Sequence, residues 1–116
     1  MSYQRVIPRD LFNEANLLKC YGQLYLQLER LNIPGVELVH DGEMFDIDQD
    51  PVDGSLFFEN VRLWVHDEPQ ILFRQLNSRE PWPLYIDGTE APEPFAVFND
   101  DGTLSEEMLT FLRGAE

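Results

Sequence analysis

The sequence predicts an α+β domain: an N-terminal helix packed on a largely antiparallel sheet of five or six short strands, with a short C-terminal helix. Three observations predict it. A proline-free stretch before Asn32 repeats apolar residues at helical spacing, and the middle of the chain breaks into short alternating segments between turn residues. The C-terminal end then returns to helical spacing behind a capping signal. The 116 residues match one domain of ordinary size, long enough to build a core without metal or disulfide.

The first helix is expected from about Asp10 to Leu31, with Pro8 and Asp10 as start signals and Asn32-Ile33-Pro34-Gly35 as the stop. At 100° per residue, Leu11, Ala15, Leu17, Leu18, Tyr21, Leu24, Tyr25 and Leu28 share a broad apolar face. Gly22 falls on that side and predicts close backbone packing there. Next, Val36–His40 and 43–47 flank Asp41-Gly42, the dipeptide favoured in a two-residue hairpin turn. That hairpin would pair Val36 with Ile47 and Glu37 with Asp46, setting Val36, Leu38, Phe45 and Ile47 inward and two like charges opposite each other outside.

Residues 48–55 read as a polar loop. Strands follow at about 56–59, 61–65, 70–75, 84–87 and 95–98, the second and third joined through His66-Asp67-Glu68-Pro69, with Pro81-Trp82-Pro83 a stiff approach to the fourth. The last helix is expected over about 104–113, with Thr103 and Glu106 at capping-box spacing and Gly114 as its C-terminal cap. Leu104, Met108, Phe111 and Leu112 form its packing stripe.

Charge is the strongest functional signal. Twenty-two acids against eight bases leave a net charge of −14, and residues 37–107 alone sum to −15 while residues 1–36 sum to +1. Such a density repels phosphates and anionic headgroups, so direct contact with nucleic acid or a membrane surface is not expected. No apolar run is long enough to span a bilayer, the first residues lack the apolar core of a signal peptide, and Cys20 is alone. A cytoplasmic location is therefore expected.

Candidate chemistry is sparse. Asp46-Ile47-Asp48-Gln49-Asp50-Pro51-Val52-Asp53 offers alternating oxygen ligands, but a calcium loop begun at Asp46 meets Pro51 where glycine is required and Phe57 where glutamate is required. Begun at Asp48, it meets Val52 and Asp53 at the fifth and sixth positions. Cys20, His40 and His66 have no zinc spacing; His40-Asp41 is no evidence for a dyad, because neighbouring strand residues point to opposite faces, and His66-Asp67 falls near an expected turn, where such residues ordinarily face solvent. With twenty-two acids, a chance pair of carboxylates carries no specificity for acid–base catalysis. No glycine-rich phosphate cradle is present. No metal, cofactor or catalytic residue is expected.

The reading that remains is an acidic binding or regulatory protein that engages a basic protein, as an inhibitor or a nucleic acid mimic. Its candidate contact residues are Glu37, Asp46, Asp48, Asp50 and Asp53, with Trp64 and Trp82 as aromatic anchors. The alternative is a structural or assembly protein forming a small homo-oligomer, its acidity serving solubility.

Overall fold

The computed structural model describes residues 14–52, 54–74, 81–88 and 93–114. In chain order they form α1 (Glu14–Leu31), β1 (Val36–His40), β2 (Ile47–Gln49), β3 (Leu56–Phe58), β4 (Val61–Val65), β5 (Glu68–Arg74), β6 (Tyr85–Asp87), β7 (Phe95–Ala96) and α2 (Glu106–Arg113). The strands make one antiparallel sheet, so the predicted α+β class holds.

The pairings reduce to a meander of five arms. β3 and β4 are two halves of one arm, kinked at Glu59-Asn60, and both pair with β5 on one side. On the other side β1 pairs with β4 and β2 with β3. β6 flanks the far edge of β5, and β7 flanks β6. Alternation along β4 sends Val61, Leu63 and Val65 into the core and turns Arg62 and Trp64 to the opposite, outer face. Leu17, Cys20 and Leu24 of α1 and Met108 and Leu112 of α2 close the inner face.

The expected hairpin around Asp41-Gly42 does not form. Glu37 lies opposite Trp64, not Asp46, and residues 41–46 make an excursion between β1 and β2. Asn60 explains the difference. Its side-chain amide donates to the carbonyls of Asp41 (2.7 Å) and Met44 (2.6 Å), its Oδ1 accepts from the Asp46 amide (3.0 Å), and its own carbonyl accepts from the Asp41 amide (2.8 Å). One residue of the neighbouring arm thus ties down the backbone at both ends of the 41–46 excursion. The inward set survives, since Val36, Leu38, Phe45 and Ile47 all pack on the core. The two-residue hairpin turn sits instead at His66-Asp67, with φ 51° and 73°, between the paired Val65 and Glu68.

Three smaller expectations also change. Residues 47–49 form a strand on β3 where a loop had been expected from 48. The N-cap of α2 is Ser105, whose hydroxyl accepts from the Met108 amide (3.1 Å), while Thr103 binds Asp101 and Asn99 in the preceding turn. Gly114 caps the C-terminus as expected.

The third change is a roll of α1. Its buried line is Leu17, Cys20 and Leu24 with half-buried Tyr21 and Leu28, whereas Ala15, Leu18 and Tyr25 face outward. Contacts on the other flank account for it. Lys19 stands 4.2 Å from the Trp82 ring and bonds the Pro81 carbonyl (3.3 Å), and Gln23 Nε2 donates to the Gly102 carbonyl (2.8 Å). Gly22 is consequently exposed, and a Cβ there would meet nothing within 4 Å. Gly22→Ala is expected to stabilise the fold by about 1 kcal/mol, the helix-propensity difference, in urea unfolding. No gain, or a loss, would mean that α1 is packed on that side. The expected start of α1 at Asp10, with Leu11, lies outside the described residues, as do Gln75 and residues 77–80.

Candidate functional site: the acidic outer face

Asp46, Asp48 and Glu59 come together where the 41–46 excursion rejoins the sheet. The register sets Asp48 opposite Phe57, on the outer face, and the Glu59 amide donates to the Asp46 carbonyl (2.8 Å) across the kink. A hydrogen bond that the Asp48 and Glu59 carboxyl groups share when one is protonated, followed by the charge of Asp48, lost solvation and the charge of Asp46, holds the Glu59 carboxyl above the usual carboxylate range. Arg62 pulls the other way, but its Nη1 donates to the carbonyls of Phe58, Glu59 and Val61 (3.1, 3.3 and 2.9 Å), so it clamps the kink.

The sign of the pH effect follows. A folded-state value raised above the unfolded one means that the folded protein holds the proton more tightly. The stabilisation is fully present below the unfolded value and is lost as pH rises through the folded one. At neutral pH the ionised pair therefore opposes folding. Glu59→Gln, whose amide can still donate to Asp48, is expected to raise Tm at pH 7, with the gain shrinking as pH falls through the carboxylate range. A gain independent of pH would show that the two carboxyls are not coupled.

The remaining predicted contact residues fall in three places. Asp50 sits in the turn after β2, its Oδ1 accepting from the Val52 amide (2.8 Å) and its carbonyl from the Gly54 amide (2.7 Å). Asp53 is outside the described residues. Glu37 stands on β1 at the far end of the β3–β4 arm from Asp48, directly across from Trp64, which is 38 % exposed. Pro69 and Ile71 continue an apolar strip beside Trp64 on the same outer face. Trp82 is not part of this surface. It is half-buried between Lys19 and Phe98 (ring centroids 5.6 Å apart) and packs against Gly102, where it anchors the 81–83 segment to α1.

Glu59 is the residue sequence reasoning missed. Its partners are eleven and thirteen positions away, and only the kink at Glu59-Asn60 carries it to them. The groups weighed for catalysis have structural work. His66 Nε2 donates to the Leu112 carbonyl at the end of α2 (3.1 Å), and His40 stacks on Phe45 (4.2 Å, 2°) while donating to the Met44 carbonyl (3.1 Å). Burial lifts the Cys20 thiol to about 11 against the opposing charges of Lys19 and Arg74, which keeps it protonated and unreactive.

Among the described residues no group of three or more His, Cys, Asp or Glu side chains is arranged to hold a metal ion, and no helix is long and apolar enough to cross a membrane. Comparison of the chain with protein-family models, curated proteins and solved structures finds no match. Function has to be argued from the surface itself.

Proposed function

We propose that this is an acidic binding or regulatory protein that engages a basic protein partner through the carboxylates on the outer face of its sheet and inhibits or regulates that partner. The observation that carries the reading is the grouping of Asp46, Asp48 and Glu59 on an exposed surface against their mutual repulsion. A surface arrangement that works against folding is retained where function uses it. Charge of one sign accelerates encounter with an oppositely charged partner, while the apolar strip beside Trp64 supplies contact area that charge alone does not. Where the partner's basic surface is itself a nucleic-acid site, the carboxylates compete with phosphates for it.

The test starts from a pull-down in native extract, washed at low salt and eluted at high salt. Association with the eluted partner is then followed by stopped flow across about 50–500 mM salt, a range that spans strong and weak screening. Exchanging Asp46, Asp48 and Asp50 for Asn and Glu37 and Glu59 for Gln should leave the fold intact, because each amide keeps an oxygen for the backbone bonds at Asp48 and Asp50. The same change is expected to slow association about tenfold at the lowest salt, with the difference closing as salt rises. Equal rates and equal salt slopes would leave the charge as a solubility device.

One observation favours the homo-oligomer instead: Leu18 (37 % exposed) and Tyr25 (51 % exposed) flank Gly22 on the outward side of α1, a surface a second helix could approach closely. Sedimentation equilibrium separates the two readings. Under the oligomer, Gly22→Ala weakens association; under the acidic binder, the chain stays monomeric with or without the substitution.

A further inference from the structure

β1 is an edge strand with a groove beside it. Among the described residues it pairs with β4 alone, and the two bonds that bracket the ladder identify which of its groups face away from β4. The His66 amide donates to the Gly35 carbonyl (2.7 Å) and the Asp41 amide to the Asn60 carbonyl (2.8 Å), so 35/66 and 41/60 are hydrogen-bonded positions of an antiparallel pair. Hydrogen-bonded and non-bonded positions alternate, which gives Glu37 and Val39 to β4 and turns the N–H and C=O groups of Val36, Leu38 and His40 to the open edge. Among the described residues no backbone group meets them there.

Alongside that edge, the C-terminal half of α1 and β1 enclose a cavity of about 230 Å³ lined by Tyr25, Leu28, Ile33, Val36 and Leu38, with Glu29 on the helix wall and Glu37 on the strand. That volume is below the range of about 300–1,000 Å³ usual for small-molecule sites. It suits a few side chains of an extended chain. Among the described residues no basic side chain lines it.

We infer that β1 is a docking edge for an extended, basic segment of the partner, which adds as a strand through the backbone of Val36, Leu38 and His40. This deepens the proposed function and rests on it. Cross-strand neighbours share a face, so residues of the incoming strand opposite Val36 and Leu38 enter the groove against Tyr25, Leu28 and Ile33. Those opposite Glu37 lie outside, next to its carboxylate and Trp64. The preferred segment therefore alternates apolar residues with Lys or Arg. A second copy of this chain is a poor occupant, because each copy carries a net charge of −14 and would bring another Glu37 to the same edge.

The probe is an acetylated, amidated octapeptide of alternating lysine and valine, titrated into the full chain and followed by amide NMR. Saturable one-to-one binding is expected, with Val36, Leu38 and His40 amides shifting most and becoming protected from exchange. Methylating alternate backbone nitrogens of the peptide, on the edge that faces β1, should weaken binding at least tenfold. Glu37→Lys should reverse the preference between the lysine peptide and its glutamate counterpart without altering the spectrum of the core.

Peptide binding that is indifferent to N-methylation and leaves those three amides unmoved overturns the docking edge and leaves a purely electrostatic binder. No peptide binding, with partner association still slowed by the amide variant, likewise overturns the edge alone. Protection of the three amides in the free protein, at all concentrations, would assign the edge to the chain's own residues 1–13. Protection that grows with protein concentration would assign it to a second copy, and either result overturns the proposal.

Discussion

Phe58→Ala is expected to lose about 3–5 kcal/mol, the range for truncating a fully buried aromatic residue. Phe58 is fully buried in β3, between Ile47 across the ladder and the rings of Tyr21 (5.9 Å, edge-on) and Phe45 (5.7 Å). It therefore joins three elements at once: α1, the 41–46 excursion and the β2 edge that carries Asp48. Small domains hold about 5–15 kcal/mol in total, so the variant sits near the unfolding threshold, and self-repulsion at a net charge of −14 pushes it further at low salt. Circular dichroism should show it largely unfolded at low ionic strength and refolded in sodium sulfate, which screens charge and favours burial. A loss under about 1 kcal/mol by urea titration would mean that the three rings do not form one packed cluster.

Gly102→Ala is expected to lose about 2–3 kcal/mol, from backbone strain and a steric clash together. Gly102 has φ 88°, a conformation side chains rarely adopt, and a Cβ there would lie 2.9–3.1 Å from three atoms of the Trp82 indole. The same residue accepts the Gln23 side chain through its carbonyl. Displacing Trp82 would release both its contact with Lys19 and the approach to β6, so indole fluorescence should shift to the red together with the loss in urea stability. If stability falls without a spectral change, the strain is local to the 99–103 turn and Trp82 does not depend on it. In either case the variant leaves Asp46, Asp48 and Glu59 in place, and association with a basic partner at temperatures well below Tm should be unaffected. Trp82 was expected to be an interface anchor; its position makes it a brace between α1 and the segment leading into β6.

Much of this was legible before any coordinates. Apolar spacing located the end of α1, and α2 and the strands at 56–58, 61–65 and 85–87 within a residue or two, because helices and strands bury one face at fixed periods. Alternation also identified Val36, Leu38, Phe45 and Ile47 as inward-facing residues even though their pairing was misassigned. Local pattern determines which side of a strand is apolar; it does not determine the neighbour.

What only the tertiary structure decided is who sits beside whom. Asp41-Gly42 carries the strongest local hairpin signal, yet Asn60, nineteen positions beyond Asp41, offers that loop its hydrogen bonds and turns it into an excursion. The contact between Glu59 and Asp48 is a product of the same kink. The roll of α1 depends on Trp82 and Gly102, far along the chain, and it moved Leu18, Gly22 and Tyr25 from the expected core face to the surface. Composition determined the sign and the size of the charge, since each ionisable side chain contributes wherever it lies. Its grouping into a face, and the open edge of β1 next to a groove that no described basic residue lines, depend on long-range register, to which neither composition nor periodicity is sensitive.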